Sequence, residues 1–173
     1  MKKEKILLVY LADLAHDYFK VNQYTPTGVG YLAAYAKSKL GKQIEFCLFK
    51  SVTKLLDAYE KKKPDLVGFS NYTWNSALSK FAGQWIKNRD PSLPIIMGGP
   101  NIRTYPKGIE EFLRANDYVD TYCMFAGEIS VYEILKFLLD QPEEKRTSNI
   151  LRGRVVNGCY SIFKNRLIGN SNY

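Results

Sequence analysis

From Lys5 to Leu11 the chain reads Lys-Ile-Leu-Leu-Val-Tyr-Leu, an apolar run with no alternation of polar positions. That is the pattern of a strand covered on both faces of a parallel sheet. Beyond a polar stretch, Val29, Leu32, Ala33, Ala36 and Leu40 recur at helical spacing. Thr27 is placed to cap this helix and Gly41 to end it in a left-handed conformation. Ile44 to Phe49 then reads as a second strand, Val52 to Lys61 as a second helix, and Asp65 to Ser70, introduced by Pro64, as a third strand. Leu78, Phe81, Ala82 and Trp85 form the inward stripe expected of a third helix, and Pro94 to Met97 a short fourth strand. Ile109, Phe112 and Leu113 belong to a fourth helix starting at Pro106, and Val119 to Phe125 to a fifth strand. A fifth helix follows Glu128 and turns Val131, Ile134, Leu135 and Leu138 inward.

Strands alternating with helices of this length imply right-handed crossovers and a parallel sheet covered on both faces. The expected fold is therefore α/β: a doubly wound, five-stranded parallel sheet of flavodoxin-like order 2-1-3-4-5, which places ligands at the carboxyl edge. The pattern changes after the charged break from Gln141 to Arg146. Val155-Val156 and Ser161-Ile162-Phe163 flank Asn157-Gly158, a dipeptide that favours hairpin turns. A C-terminal β-hairpin appendage is expected, dividing the chain into a domain over residues 1–145 and an extension or linker over 146–173.

In such a sheet the loops that leave the strand ends carry the chemistry. The first connection, Ala12 to Pro26, holds Asp13 and His16, the single histidine of the chain. The third strand is followed by Ser70-Asn71-Tyr72-Thr73-Trp74-Asn75, a cluster of hydrogen-bonding and flat aromatic side chains suited to a large planar ligand or to a protein contact. Their bland reading is core filling by the aromatics, with Thr73 or Asn75 capping the third helix. Gly98-Gly99-Pro100-Asn101 follows the fourth strand, where paired glycines allow close approach of a ligand or of a neighbouring loop. Gly127-Glu128 follows the fifth, where the carboxylate suits a helix N-terminus.

Composition narrows the function classes. The 173 residues carry 46% hydrophobic positions and a formal charge of +8. The lysines fall at helix ends and surface turns such as Lys61-Lys62-Lys63, so solvation explains them and no nucleic-acid partner is expected. No apolar run approaches the roughly 20 residues of a membrane span, and the start is not that of a signal peptide, so no membrane partner is expected. Cys47, Cys123 and Cys159 are odd in number and set in apolar segments, as for buried thiols in a cytoplasmic protein. The spacing of a phosphate-binding P-loop is absent, and Thr27-Gly28-Val29-Gly30 lacks the rest of a dinucleotide fingerprint.

Four ordered segments carry a resemblance: Pro26 to Ala36 (Pro-Thr-Gly-Val-Gly-Tyr-Leu-Ala-Ala-Tyr-Ala), Lys63 to Asn75, Pro94 to Asn101 and Gly127-Glu128. Together they resemble the N-terminal cobalamin-binding domain of class B, cobalamin-dependent radical-SAM enzymes. The resemblance covers about residues 5–140, and the terminal hairpin is similar to the segment that joins such domains to the catalytic barrel. It implies a corrinoid across the carboxyl edge, its nucleotide tail entering beside the Ser70 loop and the Gly98-Gly99 turn. The implied cofactor contacts are Thr27, Gly28, Ser70, Asn71, Tyr72, Thr73, Trp74, Gly98, Gly99, Pro100, Asn101, Gly127 and Glu128. Family relatives that ligate cobalt through histidine carry Asp-x-His-x-x-Gly in the first loop, whereas this chain has Asp13-Leu14-Ala15-His16. Binding without a histidine ligand is therefore expected, and no metal-ligating residue is assigned. The usual Gly-Glu-Gly-Glu after the fifth strand is reduced to Phe125-Ala126-Gly127-Glu128.

The Cys-x-x-x-Cys-x-x-Cys of a catalytic iron–sulfur cluster is absent. Radical chemistry, S-adenosylmethionine and the cluster would belong to a downstream catalytic domain, in the same or another chain, and no catalytic residue is expected here. The leading expectation is a cobalamin-binding accessory domain. Two rivals stand beside it: a cofactor-free interaction or scaffold domain with an aromatic-filled strand edge, and a small hydrolase or transferase using His16 and Asp13, which needs those side chains to converge beside Ser70.

Overall fold

The computed structural model describes residues 6–16 and 25–170. The middle of the long first connection, residues 17–24, lies outside them, as do the first five residues and the last three. Among the described residues seven strands form one sheet: β1 (Leu7–Ala12), β2 (Ile44–Phe49), β3 (Leu66–Ser70), β4 (Ile95–Gly98), β5 (Thr121–Cys123), β6 (Cys159–Phe163) and β7 (Arg166–Gly169). Their order is β2-β1-β3-β4-β5-β6-β7. The first five are parallel, in the expected doubly wound order, and β6 and β7 continue the sheet antiparallel.

The helices are α1 (Thr27–Leu40), α2 (Val52–Lys61), α3 (Ser76–Arg89), α4 (Pro106–Ala115), α5 (Gly127–Leu139) and the short α6 (Ser148–Arg152). Every residue of β1 is buried, because successive side chains serve two cores. Leu7, Val9 and Leu11 pack with Val29, Ala36, Ile134 and Leu138 of α1 and α5. Leu8, Tyr10 and Ala12 face the opposite layer, with Leu55 and Tyr59 of α2, Ile86 of α3 and Ile109 of α4. No helix among the described residues is long and apolar enough to cross a membrane.

Three local expectations are corrected. Helix α1 begins at Thr27 itself, with Pro26 in the cap position and no side-chain cap bond. Helix α3 buries Ser79, Ala82, Gly83 and Ile86, one position away from the expected stripe, and leaves Phe81 56% exposed. The reason is Gly83, where an added Cβ would run into the ring of Tyr118, so the small-residue face is the one that packs closely. The terminal hairpin exists, but its turn is Lys164-Asn165, with φ of 47° and 63°, not Asn157-Gly158. Two consecutive positive φ values make the tight turn that suits strand twist. The Asn157-Gly158 pair instead leads into β6, the Gly158 carbonyl accepting the Met124 amide at 2.8 Å. Helix α6 was not foreseen.

The segment after residue 145 is tied to the sheet by ion pairs at the amino edge. Arg146 Nη1 donates to Asp65 Oδ1 at 2.8 Å, and its Nε to the Leu138 carbonyl at 3.1 Å. Asp120, fully buried, accepts from Lys87 Nζ at 2.7 Å, Arg152 Nε at 2.6 Å and the Ile95 amide at 2.7 Å. Across the β5–β6 junction, Thr121 Oγ1 and Ser161 Oγ meet at 2.9 Å.

Candidate functional site

Above the carboxyl ends of β1, β3 and β4, helices α1 and α5 part and leave a slot of about 170 Å³. Its floor is the mid-strand row Leu11, Gly68 and Ile96, set side by side by the strand register. Gly68 keeps the floor low: a Cβ there would lie 2.6 Å from the Leu11 side chain and 3.2 Å from Ile96. Glycine inside a strand commonly marks such a close approach. Val29 and Leu32 of α1 form one wall and Val131 of α5 the other. Gly127 lets these walls come together, since an added Cβ would stand 3.3 Å from Leu32.

Polar groups gather at the mouth. Asp13, one residue past β1, accepts from Ser70 Oγ at 2.6 Å and from Asn75 Nδ2 at 3.0 Å. Asn75 also donates to Ser70 Oγ at 2.8 Å and accepts the Tyr72 amide at 2.8 Å. It is fully buried, so Asn75 folds the β3 loop back on itself and does not cap α3 through its side chain. Tyr72 stacks on Trp74 with centroids 4.5 Å apart and planes 7° from parallel. Its hydroxyl reaches toward α1, 3.8 Å from where a Cβ on Gly28 would sit. Phe125 stands at the mouth with φ 52° and 65% of its surface exposed. Glu128 lies in the first turn of α5, where the helix dipole favours a carboxylate.

A second network holds the glycine turn in place. Asn71 is buried, and its Nδ2 donates to the Asn101 carbonyl at 2.9 Å and to the Tyr122 hydroxyl at 3.1 Å. Tyr122 in turn donates to the Gly99 carbonyl at 2.7 Å, and the Asn71 amide to the Gly98 carbonyl at 2.7 Å. Burial pushes the Tyr122 phenol well up, so it remains a donor at any working pH. Gly99 has φ 131°, and a Cβ there would sit 2.5 Å from the Asn71 carbonyl oxygen. The turn therefore rides directly on the β3 loop, and only glycine fits.

Of the residues singled out in the sequence, Gly28, Ser70, Tyr72, Gly98, Gly99, Gly127 and Glu128 line the slot. Asn71 and Asn101 lie behind it as braces. Thr27, Thr73, Trp74 and Pro100 are exposed beside the mouth and outside the lining. Trp74 does not fill the edge, as the scaffold reading required, but is 67% exposed. His16 is exposed and is not part of the lining. Leu11, Val29, Leu32, Ile96, Cys123 and Val131 were missed as site residues, since each reads as ordinary core. Gly68 was also missed, although a glycine within Leu66-Val67-Gly68-Phe69 is a usable signal. Cys123 lies 3.5 Å, sulfur to sulfur, from Cys159 in the neighbouring strand. The hydrogen bond it shares with Cys159, together with burial, pushes the Cys123 thiol well up. Among the described residues no three His, Cys, Asp or Glu side chains converge as a metal site.

Comparison with known proteins gives this geometry a context. A family model described as B12 binding domain matches residues 21–135. The chain is 28% identical over 88 residues to a 2-(S-pantetheinyl)-carbapenam-3-carboxylate methyltransferase of Streptantibioticus cattleyicolor, covering 50% of this chain and 12% of that protein. It is 29% identical over 82 residues to the cobalamin-dependent radical SAM methyltransferase TokK of Streptomyces tokunonensis, covering 47% of this chain and 12% of that one. Among solved structures, the cobalamin-dependent S-adenosylmethionine radical enzyme OxsB with aqua-cobalamin and S-adenosylmethionine bound aligns over 97% of this chain and 22% of its own. The TM-score is 0.68 at 15% identity. A cobalamin-binding protein from Desulfitobacterium hafniense aligns with TM-score 0.56 at 16% identity, over 78% of this chain and 59% of its own. The structural likenesses establish the fold, and the chain spans about 12% of the length of the curated relatives it matches.

Proposed function

We propose, because the chain belongs to the B12-binding domain family, that it holds a cobalamin over the carboxyl edge of its sheet without a histidine ligand to cobalt. The observation that carries this is the slot between α1 and α5. Its 170 Å³ falls short of the roughly 300–1,000 Å³ that encloses a whole drug-sized ligand, so it suits one flat fragment of a larger molecule. Of the parts of a cobalamin, the nucleotide base alone is flat, apolar and small enough to enter, which leaves the macrocycle over the mouth.

The residues fit that division. Gly68 leaves the floor open where any side chain would fill it. Ser70, held by Asp13 and Asn75, and the Gly98-Gly99 backbone, held by Asn71 and Tyr122, give the mouth a rigid polar frame. Tyr72, Trp74 and Phe125 offer flat apolar surface around the opening, where Thr27, Thr73 and Pro100 lie close by, and Asn101 braces the frame from behind. Two features support the absence of a histidine ligand: the spacing Asp13-Leu14-Ala15-His16, and the use of the Asp13 carboxylate in bracing the β3 loop. When bound, the corrinoid supplies cobalt-centred chemistry, such as carrying a methyl group, that no side chain here offers. The chain's own task is to hold the cofactor and shield its base from water.

We further propose that this is the corrinoid-carrying part of a radical-SAM enzyme, with residues 1–145 as the binding unit and 146–173 leading toward a catalytic domain that supplies S-adenosylmethionine and the iron–sulfur cluster. The test is to add hydroxocobalamin to the purified chain and record the visible spectrum after desalting, under reducing and oxidising conditions. Retained corrinoid with a spectrum unchanged by His16→Ala is the expected result. Loss of all corrinoid on desalting would overturn the binding claim. A spectrum altered by His16→Ala would overturn the ligation claim alone.

A further inference from the structure

The polar atoms of the slot are confined to its mouth. Asp13, Ser70, Tyr72 and Glu128 all sit at or beyond the strand ends, while the depth is lined by Leu11, Val29, Leu32, Gly68, Ile96 and Val131. The deep backbone offers no spare partner either, because Gly68 is paired in the ladder with Leu11 on one side and Ile96 on the other. Nearer the rim, the Gly98 carbonyl is taken by the Asn71 amide and the Gly99 carbonyl by the Tyr122 hydroxyl. Set deeper among the described residues is the Cys123 sulfur, already hydrogen-bonded to Cys159. A thiol is a weak donor and acceptor.

We infer that this slot selects among corrinoids by the chemistry of their lower base, taking dimethylbenzimidazole and discriminating against adenine. The inference rests on the corrinoid-binding reading above and adds a specificity to it. The two bases are both flat bicycles of similar outline, so shape alone separates them poorly. Polarity separates them well. Adenine carries an exocyclic amine and additional ring nitrogens, each hydrogen-bonded in water, and in the depth of the slot they would meet mainly hydrocarbon, with the Cys123 sulfur as a weak partner. Burying a polar group without a partner is costly, whereas placing the two methyl groups of dimethylbenzimidazole against Leu32, Ile96 and Val131 is favourable. The discrimination resembles that of an apolar pocket facing a ligand whose hydrogen bonds it cannot replace.

The experiment is equilibrium dialysis of the 173-residue chain against three corrinoids followed by their visible absorbance: cobalamin, its adenine-based analogue adeninylcobamide, and cobinamide, which has no base. Cobalamin is expected to bind on the order of tenfold to a hundredfold more tightly than adeninylcobamide. Cobinamide should be weaker than cobalamin, since it leaves the slot empty. Equal affinity for the two base-bearing corrinoids, or a preference for adenine, would overturn the selectivity while leaving corrinoid binding intact. Failure of all three to bind would instead remove the binding reading itself, and the selectivity with it. Val131→Thr places one hydroxyl on the slot wall and should narrow the ratio between cobalamin and adeninylcobamide. An unchanged ratio in that variant, with the fold verified by circular dichroism, would show that the selection arises elsewhere.

Discussion

The amide of Asn71 and the hydroxyl of Tyr122 meet at 3.1 Å, joining the loop after β3 to the core of β5 beneath the Gly98-Gly99 turn. Because the Tyr122 hydroxyl itself donates to the Gly99 carbonyl at 2.7 Å, one phenol holds two loops of the mouth together. Tyr122→Phe keeps the ring and deletes this link. The buried Asn71 side chain and the half-buried Gly99 carbonyl then lose a partner, and the chain should lose about 1–3 kcal/mol of stability. Urea unfolding monitored by circular dichroism measures it, and an unchanged midpoint would show that the link carries no stability.

Gly99→Ala tests the same seam from the backbone. With φ at 131° and the Asn71 carbonyl 2.5 Å from a new Cβ, the substitution combines a strained torsion with a steric clash. A loss of at least roughly 1–3 kcal/mol is expected from the torsion alone. Thermal denaturation should show a lower midpoint, and cobalamin retention should fall because the turn forms the rim of the slot.

Asp120 is fully buried between Lys87 and Arg152, so Asp120→Asn should cost about 3–5 kcal/mol by leaving two cations without their counter-charge. Since Arg152 belongs to α6, limited proteolysis of this variant should cut first between residues 140 and 157. Cleavage elsewhere, with this segment protected, would mean that Asp120 is not what fastens it.

Lys87 gives a pH dependence of defined sign. Burial lowers its pKa below the usual 10.5, the larger effect over the attraction of Asp120, which raises it. The unfolded chain therefore binds more protons than the folded one between the lowered value and 10.5, and stability from this group rises with pH across that window. Its contribution is complete above 10.5 and is lost as pH falls through the folded value. The stability of the wild-type chain relative to Lys87→Met should increase as pH is raised toward 10.5, read from paired denaturant titrations. A difference that falls with pH would reverse the assignment.

The cysteines should differ in reactivity. Cys123 and Cys159 are buried, 4% and 2% exposed, and Cys123 is held protonated by its neighbour and by burial. Cys47 is half-buried on the edge strand β2, its thiol also raised chiefly by burial. Iodoacetamide at neutral pH should modify Cys47 slowly and the other two only after denaturation, as resolved by peptide mass spectrometry. Rapid native labelling of Cys123 would mean that the slot admits the reagent.

Local pattern was enough for the alternating elements and their order, because a strand buried on both faces, such as β1, cannot avoid an unbroken apolar run, and a helix such as α5 cannot avoid its 3.6-residue stripe. It was also enough to mark Ser70, Tyr72, Gly98-Gly99 and Gly127-Glu128, since polar, aromatic or glycine-rich strand ends stand out against such runs. The true hairpin turn was not legible. Asn157-Gly158 has the stronger local preference, but β6 pairs Tyr160 with Tyr122 and Cys159 with Cys123, and that long-range register carries the turn on to Lys164-Asn165. The slot itself belongs to the tertiary structure alone. Leu11, Gly68 and Ile96 come from three strands and meet through parallel register, while Val29, Leu32 and Val131 face them only because α1 and α5 cross the same side of the sheet. Periodicity reports that a side chain is buried. Which distant side chain it is buried against, and whether the pair leaves room between them, depends on contacts that no local pattern encodes.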